Sequence, residues 1–286
     1  MTELLSRLNN KIVDSIKDAE VGIIHLGLGA FHKAHQAWYT HNAMLADGGN
    51  WKITGVSLRS ANVANEMLPQ NCLYTVVVKD SERVTSNVVS SIDNVLVAPH
   101  SPLKIIQALA DEKVKVVTLT ITEKGYCHDP ASGKLKINAV DIQHDLNHLD
   151  SPKTAIGILV SAIYNRISNN ASPFTVISCD NLPNNGTLLR NLVLEFAGNI
   201  SPELASNIAD NYSFPSSMVD RIVPAVTQES KEHLYGELGY RDEALVITEN
   251  FSQWVIEDNF VSDRPSWEMV GVLFVDDVQA YETMKL

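Results

Sequence analysis

The sequence predicts an α/β fold built around a doubly wound, mostly parallel sheet. Apolar strand-like runs alternate with longer amphipathic segments along most of the chain, as expected for successive βα units. The runs are rich in valine and isoleucine without strict alternation, which is typical of strands covered on both faces. Near the start, residues 22–26 lead through Gly27-Leu28-Gly29 directly into a helical segment.

The predicted strands are short runs of β-branched and other apolar residues. In chain order they are residues 22–26, 52–58, 73–79, 114–121, 174–179, 245–248 and 271–275. The segments between them carry apolar residues at helical spacing, which predicts amphipathic helices. These helices cover residues 31–45, 102–111, 154–166 and 187–197.

Residues 73–98 differ from this βα alternation. Two valine-rich runs, 73–79 and 84–89, flank a polar break at 80–83, and this pattern predicts a β-hairpin inserted into the parallel arrangement. The chain contains no internal repeat and no low-complexity linker. We therefore expect one elaborated domain that extends to about residue 280.

The glycine turn after the first strand has the features of a dinucleotide site. One glycine permits a tight turn, the next lets the main chain approach the pyrophosphate, and the following helix offers unpaired N–H groups. His32 replaces the third glycine of the usual motif, and a plain turn is the alternative interpretation. A Rossmann-type domain would hold the cofactor with Gly27, Leu28, Gly29, Ala30 and Phe31.

Composition and charge exclude several functional classes. The 286 residues have a net charge of −12, which argues against broad binding to nucleic acid or to an anionic membrane. No apolar run approaches the length of a membrane span, and no signal peptide is predicted. Three widely spaced cysteines form no disulfide framework, which suits a reducing compartment. We expect a cytoplasmic protein.

Three histidines near the glycine turn raise the question of a metal site. His32 and His35 share a helix face, and His25 lies on the preceding strand. No cluster of cysteine, aspartate or glutamate accompanies them, so the sequence predicts no metal.

Several further segments resemble a known family, the mannitol dehydrogenases, which are polyol-specific long-chain dehydrogenases. The strongest resemblance lies in residues 212–224, Tyr-Ser-Phe-Pro-Ser-Ser-Met-Val-Asp-Arg-Ile-Val-Pro, which look like the family's signature stretch. Similar blocks occur, in the family's order, at residues 118–126, 178–186, 253–260 and 275–285. Within the family, residues 122–134 most resemble fructuronate reductase, also called mannonate oxidoreductase, with mannitol 2-dehydrogenase close behind.

The resemblance implies an enzyme with an N-terminal Rossmann-type domain and a helical C-terminal domain that closes over the substrate. The expected boundaries are 1–280 for the first domain and 281–286 for a truncated start of the second, whose remainder is absent from this chain. The implied reaction is NAD-dependent and acts on a secondary alcohol of a small polyol or sugar acid. Mannonate and fructuronate are the leading pair, and mannitol and fructose are second.

The resemblance also implies a metal-independent reaction in which a lysine removes the alcohol proton while hydride leaves the same carbon. Lys285 occupies the position of that lysine, whereas the family's following asparagine and histidine have no counterpart here. A lysine that acts as a base near neutral pH needs its pKa lowered by burial or neighbouring charge. The alternative for Lys285 is a solvated lysine near the end of the chain.

Two polar residues follow predicted strands at the edge where such folds bind ligands. Asn181 would donate to a developing alkoxide, and its alternative role is that of a turn residue. The resemblance suggests that Glu123 is a carboxylate that relays protons near the lysine. Its alternatives are an ion pair with Lys124 or a charge at a helix N-terminus.

The preference between NAD and NADP depends on the end of the second strand. NAD-specific Rossmann domains usually carry an acidic residue there, but residues 58–60 contain none. Arg59 would bind a 2′-phosphate, which favours NADP, or stack on the adenine. The resemblance favours NAD, and NADP stays open.

A second class of hypothesis is a truncated, catalytically inactive fragment that binds nucleotide. Such a chain would expose apolar surface and self-associate, although nothing in the sequence specifies an oligomeric state. A third hypothesis is a regulator that senses the NADH/NAD ratio, for which the sequence offers no DNA-binding helix or basic stretch.

Overall fold

The computed structural model describes residues 5–12, 16, 18–80 and 83–285. Ser81 and Glu82 of the predicted hairpin break, and Leu286, lie outside these ranges. The strands of the described chain are β1 (Val21–Leu26), β2 (Lys52–Ser57), β3 (Tyr74–Lys79), β4 (Val84–Val89), β5 (Ile92–Val97), β6 (Val116–Leu119), β7 (Thr175–Ser178), β8 (Ser217–Asp220), β9 (Val246–Glu249), β10 (Gln253–Glu257) and β11 (Leu273–Val275).

The helices are distributed between these strands along the whole chain. They are α1 (Ala30–Ala34), α2 (Gln36–Asp47), α3 (Asn62–Met67), α4 (Pro102–Ala110), α5 (Thr122–Gly125), α6 (Val140–Asn147), α7 (Ala155–Ser168), α8 (Asn185–Gly198), α9 (Pro202–Asn211), α10 (Gln228–Leu238) and α11 (Gln279–Met284). Across the described ranges, no helix combines the length and apolar character needed to cross a lipid bilayer.

The central sheet is parallel and has the strand order β5-β2-β1-β6-β7. This order confirms the predicted Rossmann-type α/β fold. β1 lies between β2 and β6, where Leu26 pairs with Val56 on one side and with Leu119 on the other. Because all five strands run in the same direction, their carboxyl ends meet at one edge of the sheet.

Apolar side chains cover both faces of this sheet, as its continuous apolar strands predict. Ile24 of β1 belongs to a core formed with α4, α7 and α8, whereas its neighbour Ile23 belongs to a second core on the opposite face. The second core includes α1, α2 and two fully buried tryptophans, Trp254 and Trp267, whose ring centres lie 4.7 Å apart. The sheet is therefore enclosed between two layers, except at the edge strand β5, where Asp93 and Asn94 are exposed.

The predicted hairpin is confirmed but lies outside the central sheet. β3 and β4 pair antiparallel, and β3 also pairs in parallel with β9, which gives a separate sheet of order β4-β3-β9. The prediction also included residues 92–97 in the hairpin segment, and this was wrong. These residues form β5 at the edge of the central sheet.

A third sheet of order β11-β10-β8 was missed by the sequence analysis as a unit. β8 and β10 lie in segments assigned to family motifs, and they pair antiparallel. The predicted strands at 245–248 and 271–275 correspond to β9 and β11, which join the two small sheets rather than the central one. The pairing of the strands in these small sheets depends on contacts between separate segments of the chain, so the local hydrophobic pattern did not predict it.

The helix predicted for residues 31–45 is broken at His35, which has φ −123° and ψ −89°. Just before this break, His32 lies flat against His25 of β1, with the ring centres 3.4 Å apart. The His25 ring nitrogens bond the hydroxyls of Thr118 and Thr120 at 2.8 and 2.9 Å. The stacked rings explain how α1 packs on β1 although His32 replaces the motif's third glycine.

We expect acid to destabilise this fold through its buried histidines. Desolvation by burial lowers the pKa of His25 and His35 to about 3 and that of His41 to about 4. In the unfolded chain these groups protonate near their ordinary value of about 6.5, so below that pH the unfolded state binds more protons. The free energy of unfolding should therefore fall by up to about 2 kcal/mol for each histidine between about pH 7 and about pH 5.

Urea denaturation at the two pH values measures this difference. His41→Gln should reduce the difference, because it removes one titrating group. His100→Gln should leave it unchanged, because the His100 side chain is exposed. A free energy of unfolding that is the same at both pH values would contradict the prediction.

Candidate functional site

The turn after β1 requires a glycine at position 27. Gly27 has φ +94°, and a Cβ atom there would lie 2.2 Å from the carbonyl oxygen of Thr120. The N–H groups of Gly27 and Leu28 both donate to the Val56 carbonyl, at 2.9 and 3.0 Å. The turn is therefore fixed between β2 and β6, and the N–H of Leu28 is already engaged.

Gly29 differs from Gly27 because the fold itself does not need a glycine there. Its φ is −150°, and a Cβ atom would meet only the Gly27 carbonyl oxygen, at 3.8 Å. The first bond of α1 runs from the Lys33 N–H to the Gly29 carbonyl at 3.1 Å. No hydrogen bond to a described residue uses the N–H groups of Gly29, Ala30 or Phe31. The turn therefore presents open main chain at the carboxyl edge of the sheet.

Arg59 follows the end of β2, the strand that pairs with β1. Its side chain is exposed, and the loop is closed by a 2.7 Å hydrogen bond from the Ser57 hydroxyl to the Ser60 carbonyl. Residue 56, whose carbonyl holds the glycine turn, is only three positions earlier. The structure therefore brings Arg59 to the same edge as the predicted pyrophosphate site.

A cleft of about 460 Å³ opens at this edge between the end of β7, β8 and α11. Lys285 lies in it, and its Nζ donates to Asn181 Oδ1 at 2.9 Å and to the Val219 carbonyl. Lys285 is half-buried. Two predicted site residues from distant parts of the chain are therefore in direct contact.

Glu123 lies in a neighbouring cleft of about 410 Å³, together with His128 and Asn184. The two clefts share the loop of residues 182–184, so Glu123 and Lys285 lie on either side of it. Glu123 is exposed in the first turn of α5, as one alternative interpretation predicts. Within the described chain, it forms neither an ion pair with Lys124 nor a hydrogen bond to Lys285.

Asp180, beside Asn181, is a polar residue of this edge that the sequence analysis missed. Its carboxylate accepts the N–H groups of Ile121 and Thr122 at 2.9 and 2.8 Å and the Tyr126 hydroxyl at 2.7 Å. Burial raises the pKa of Asp180, and these hydrogen bonds oppose that rise. The only sequence signal was an acidic residue directly after a buried strand.

The histidines near the glycine turn pack within the fold, and two of them also use their ring nitrogens for hydrogen bonds. Among the residues that the structure describes, no three side chains of histidine, cysteine, aspartate or glutamate are close enough to hold an ion. His25 uses both ring nitrogens for threonine hydroxyls, and His35 Nε2 bonds the Gln253 carbonyl at 2.8 Å. These contacts give the two rings a structural role.

Comparison with known proteins agrees with this geometry. The family model described as the mannitol dehydrogenase Rossmann domain matches residues 21–269. The chain belongs to the mannitol dehydrogenase family. Other members include the D-mannonate oxidoreductase of Escherichia coli strain K12, which is 43% identical over 93% of this chain and 56% of its own length. Mannitol 2-dehydrogenase of Phaeosphaeria nodorum is 38% identical over 99% of this chain and 51% of its own length.

A solved structure of this family has the same fold. The Pseudomonas fluorescens mannitol 2-dehydrogenase, in a ternary complex with NAD and D-mannitol, matches with a TM-score of 0.92 and 41% identity. The match covers 98% of this chain and 60% of that one. This chain thus spans little more than half the length of the curated relatives it matches.

Alanine substitutions at two glycines should separate folding from coenzyme binding. Gly29→Ala should leave the melting temperature unchanged but weaken NADH binding by about tenfold or more, because a methyl group would stand between the main chain and the pyrophosphate. Gly27→Ala should destabilise the fold, because its Cβ would collide with the Thr120 carbonyl. Thermal unfolding and NADH fluorescence titration measure the two effects.

Gly236→Ala is the matched control, because a Cβ on this helical glycine meets nothing within 4 Å. This variant should leave the affinity for NADH unchanged and the melting temperature nearly unchanged. Unchanged NADH affinity in Gly29→Ala would contradict the assigned position of the pyrophosphate.

Proposed function

We propose that this chain is the coenzyme-binding part of an NAD-dependent oxidoreductase that acts on a secondary alcohol of a polyol or sugar acid. The observation that carries the proposal is the contact between Lys285 and Asn181 at the sheet edge that also carries the glycine turn. A lysine and an asparagine amide thus lie on the side of the sheet where Rossmann-type folds bind ligands, which supports the roles of base and hydrogen-bond donor. Mannonate and fructuronate are the leading substrate pair, and mannitol and fructose are second.

The main chain around Gly29 fits the pyrophosphate of NAD. The open amides of Gly29, Ala30 and Phe31 would donate to phosphate oxygens, and the absence of a side chain at residue 29 would permit close approach. Bound NAD supplies the acceptor for the hydride that leaves the alcohol carbon. The residues of the chain itself would orient the alcohol and accept its proton.

The orientation of the Asn181 amide supports a separate role for its oxygen and for its nitrogen. A protonated lysine only donates hydrogen bonds, so the atom that faces Lys285 is the carbonyl oxygen Oδ1. The Nδ2 group is then left to donate to the substrate oxygen as negative charge develops on it. In its neutral form, Lys285 would take the proton from that same oxygen.

Glu123 has a less direct part in this proposal. Its carboxylate lies across the 182–184 loop from Lys285, in a cleft that is open to solvent. It would pass the proton from the lysine to water rather than touch the substrate. Its exposed position favours this relay over a role as the primary base.

A second candidate function is nucleotide binding without turnover. The observation that favours it is the open main chain at Gly29, Ala30 and Phe31, which would hold a nucleotide whether or not Lys285 acts as a base. Titration with NADH and an assay with D-mannonate and D-mannitol distinguish the two candidates. Saturable binding with turnover supports the oxidoreductase, and saturable binding without turnover supports the second candidate. The absence of NADH binding would contradict both.

Lys285→Met should abolish turnover and leave NADH affinity within about twofold, because it removes the base but not the pyrophosphate site. Initial rates with D-mannonate and D-mannitol, together with NADH fluorescence titration, provide the two measurements. Lys113→Met is the control, because Lys113 pairs with Glu20 on the surface before β6 begins, at the opposite edge of the sheet. A Lys285→Met variant that keeps wild-type turnover would contradict the assignment of the base.

Arg59→Asp should weaken NADPH binding far more than NADH binding. The substitution removes a guanidinium near the predicted ribose site and places a carboxylate there. This carboxylate would repel a 2′-phosphate, whereas it would accept hydrogen bonds from the ribose hydroxyls of NADH. Fluorescence titration with the two coenzymes measures the effect, and Lys113→Asp controls for the change in net charge. Equal weakening of both coenzymes would contradict a contact between Arg59 and the 2′-phosphate.

A further inference from the structure

The buried carboxylate of Asp180 connects two turns that lie at the ends of β6 and β7. It is 9% exposed, and both of its oxygens accept hydrogen bonds from the main chain of the β6 turn. Tyr126 supplies a third donor and also bonds the Ser178 hydroxyl, which belongs to β7. An ionised carboxylate only accepts hydrogen bonds, and here the donors come from a segment almost sixty residues earlier in the chain.

The turn that Asp180 holds has an unfavourable backbone conformation. Thr122 has φ +62°, a region that β-branched residues rarely adopt. Such a conformation persists only where the surrounding structure fixes it, and it occurs often at functional sites. The 2.8 Å bond from the Thr122 N–H to Asp180 Oδ1 is a direct constraint on this residue. Glu123 follows immediately, so the conformation of the turn determines the direction in which its side chain leaves the main chain.

The main chain of Asp180 fixes the other half of the site. Its carbonyl accepts a hydrogen bond from Asn185 Nδ2 at 2.9 Å. The same amide group also donates to the Ser217 carbonyl of β8 at 2.8 Å. The next residue is Asn181, which holds Lys285. Asp180 thus connects two parts of the site. Its side chain holds the turn that carries Glu123, and its backbone leads directly to Asn181, which bonds Lys285.

We propose that Asp180 is a positioning residue that holds the Glu123 turn in register with the Lys285–Asn181 pair, acting through the N–H groups of Ile121 and Thr122. Both oxygens of its carboxylate accept hydrogen bonds from these main-chain donors, and Oδ2 also accepts the Tyr126 hydroxyl, so we give this buried group no direct contact with the substrate. The positioning role rests on the proposed function only in so far as Glu123, Asn181 and Lys285 act on a substrate.

Asp180→Asn is the main test, because it keeps the shape of the side chain but replaces one acceptor oxygen by a donor. The amide cannot accept both main-chain N–H groups together with the Tyr126 hydroxyl. Tyr126→Phe is the milder variant, because it removes one donor and leaves the main-chain bonds. Asp242→Asn is the matched control, since Asp242 is a fully buried carboxylate that accepts the N–H groups of Thr75 and Ala244 near the β4-β3-β9 sheet.

Hydrogen exchange provides a measurement that does not require turnover. Asp180→Asn should accelerate exchange by about tenfold or more in peptides covering residues 119–126, with smaller changes elsewhere. Asp242→Asn should accelerate exchange around residues 74–79 and leave residues 119–126 unchanged. A role in overall stability alone would instead accelerate exchange throughout the central sheet in both variants.

Turnover and coenzyme binding test the functional half of the proposal. Asp180→Asn should lower kcat for the polyol by about tenfold or more and keep NADH affinity within about twofold, because the glycine turn is separate. Adding Thr122→Gly should recover part of kcat, because glycine adopts a positive φ without steric cost. Asp242→Asn should lower kcat by less than about twofold at a temperature where it stays folded.

Unchanged exchange of residues 119–126 in Asp180→Asn would overturn the proposal. So would an equal loss of kcat in the Asp180→Asn and Asp242→Asn variants, or a loss that Thr122→Gly leaves unaltered. If the wild-type chain binds NADH but shows no turnover, the oxidoreductase proposal fails for this chain. The exchange measurements then still decide whether Asp180 holds the turn.

Discussion

The parallel pairing of β1 between β2 and β6 is the constraint on which the rest of the structure depends. Parallel strands end at the same edge of a sheet, so every loop that follows a central strand begins there. The glycine turn, Arg59, Glu123 and Asn181 follow β1, β2, β6 and β7 respectively, and they lie at one edge of the sheet for this reason. The close approach of Gly27 to the Thr120 carbonyl fixes how the first of these loops leaves the sheet.

Buried carboxylates hold the irregular parts of the fold in place. Asp145 accepts the N–H groups of Lys153 and Thr154 before α7, and Asp242 accepts those of Thr75 and Ala244 between the end of α10 and β9. Asp180 does the same for the turn after β6. In each case a charged group that is costly to bury is satisfied by main-chain donors that would otherwise lack partners.

The sequence allowed the central sheet and the glycine turn to be predicted, because their signals are local. Continuous apolar runs mark β1, β2, β6 and β7, and the turn residues follow β1 directly. The β8–β10 pairing joins segments whose partner cannot be read from either one, and the valine-rich β5 resembled a continuation of the hairpin. The break at His35 depends on packing against other elements, so helical periodicity did not reveal it.

In the candidate site, too, the sequence signals were readable only where they did not depend on contacts between distant segments. The family resemblance implied that Lys285 and Asn181 face one reaction centre, and the structure brings their side chains into contact, while their roles stay predictions. Asp180 was not identified, because its importance comes from donors almost sixty residues away. An acidic residue in a polar turn looks ordinary until those donors are known.

The link between β3 and β9 has a consequence for the order in which the chain folds. All five strands of the central sheet lie before residue 179, so their pairing can begin while the remainder is still being synthesised. Val76 of β3, however, pairs with Val246, and Lys33 of α1 donates to the Ala244 carbonyl at 2.8 Å. The segment that carries the open amides therefore gains its outer support only after about 250 residues have left the ribosome, and we expect a nascent chain to acquire a rigid nucleotide pocket late.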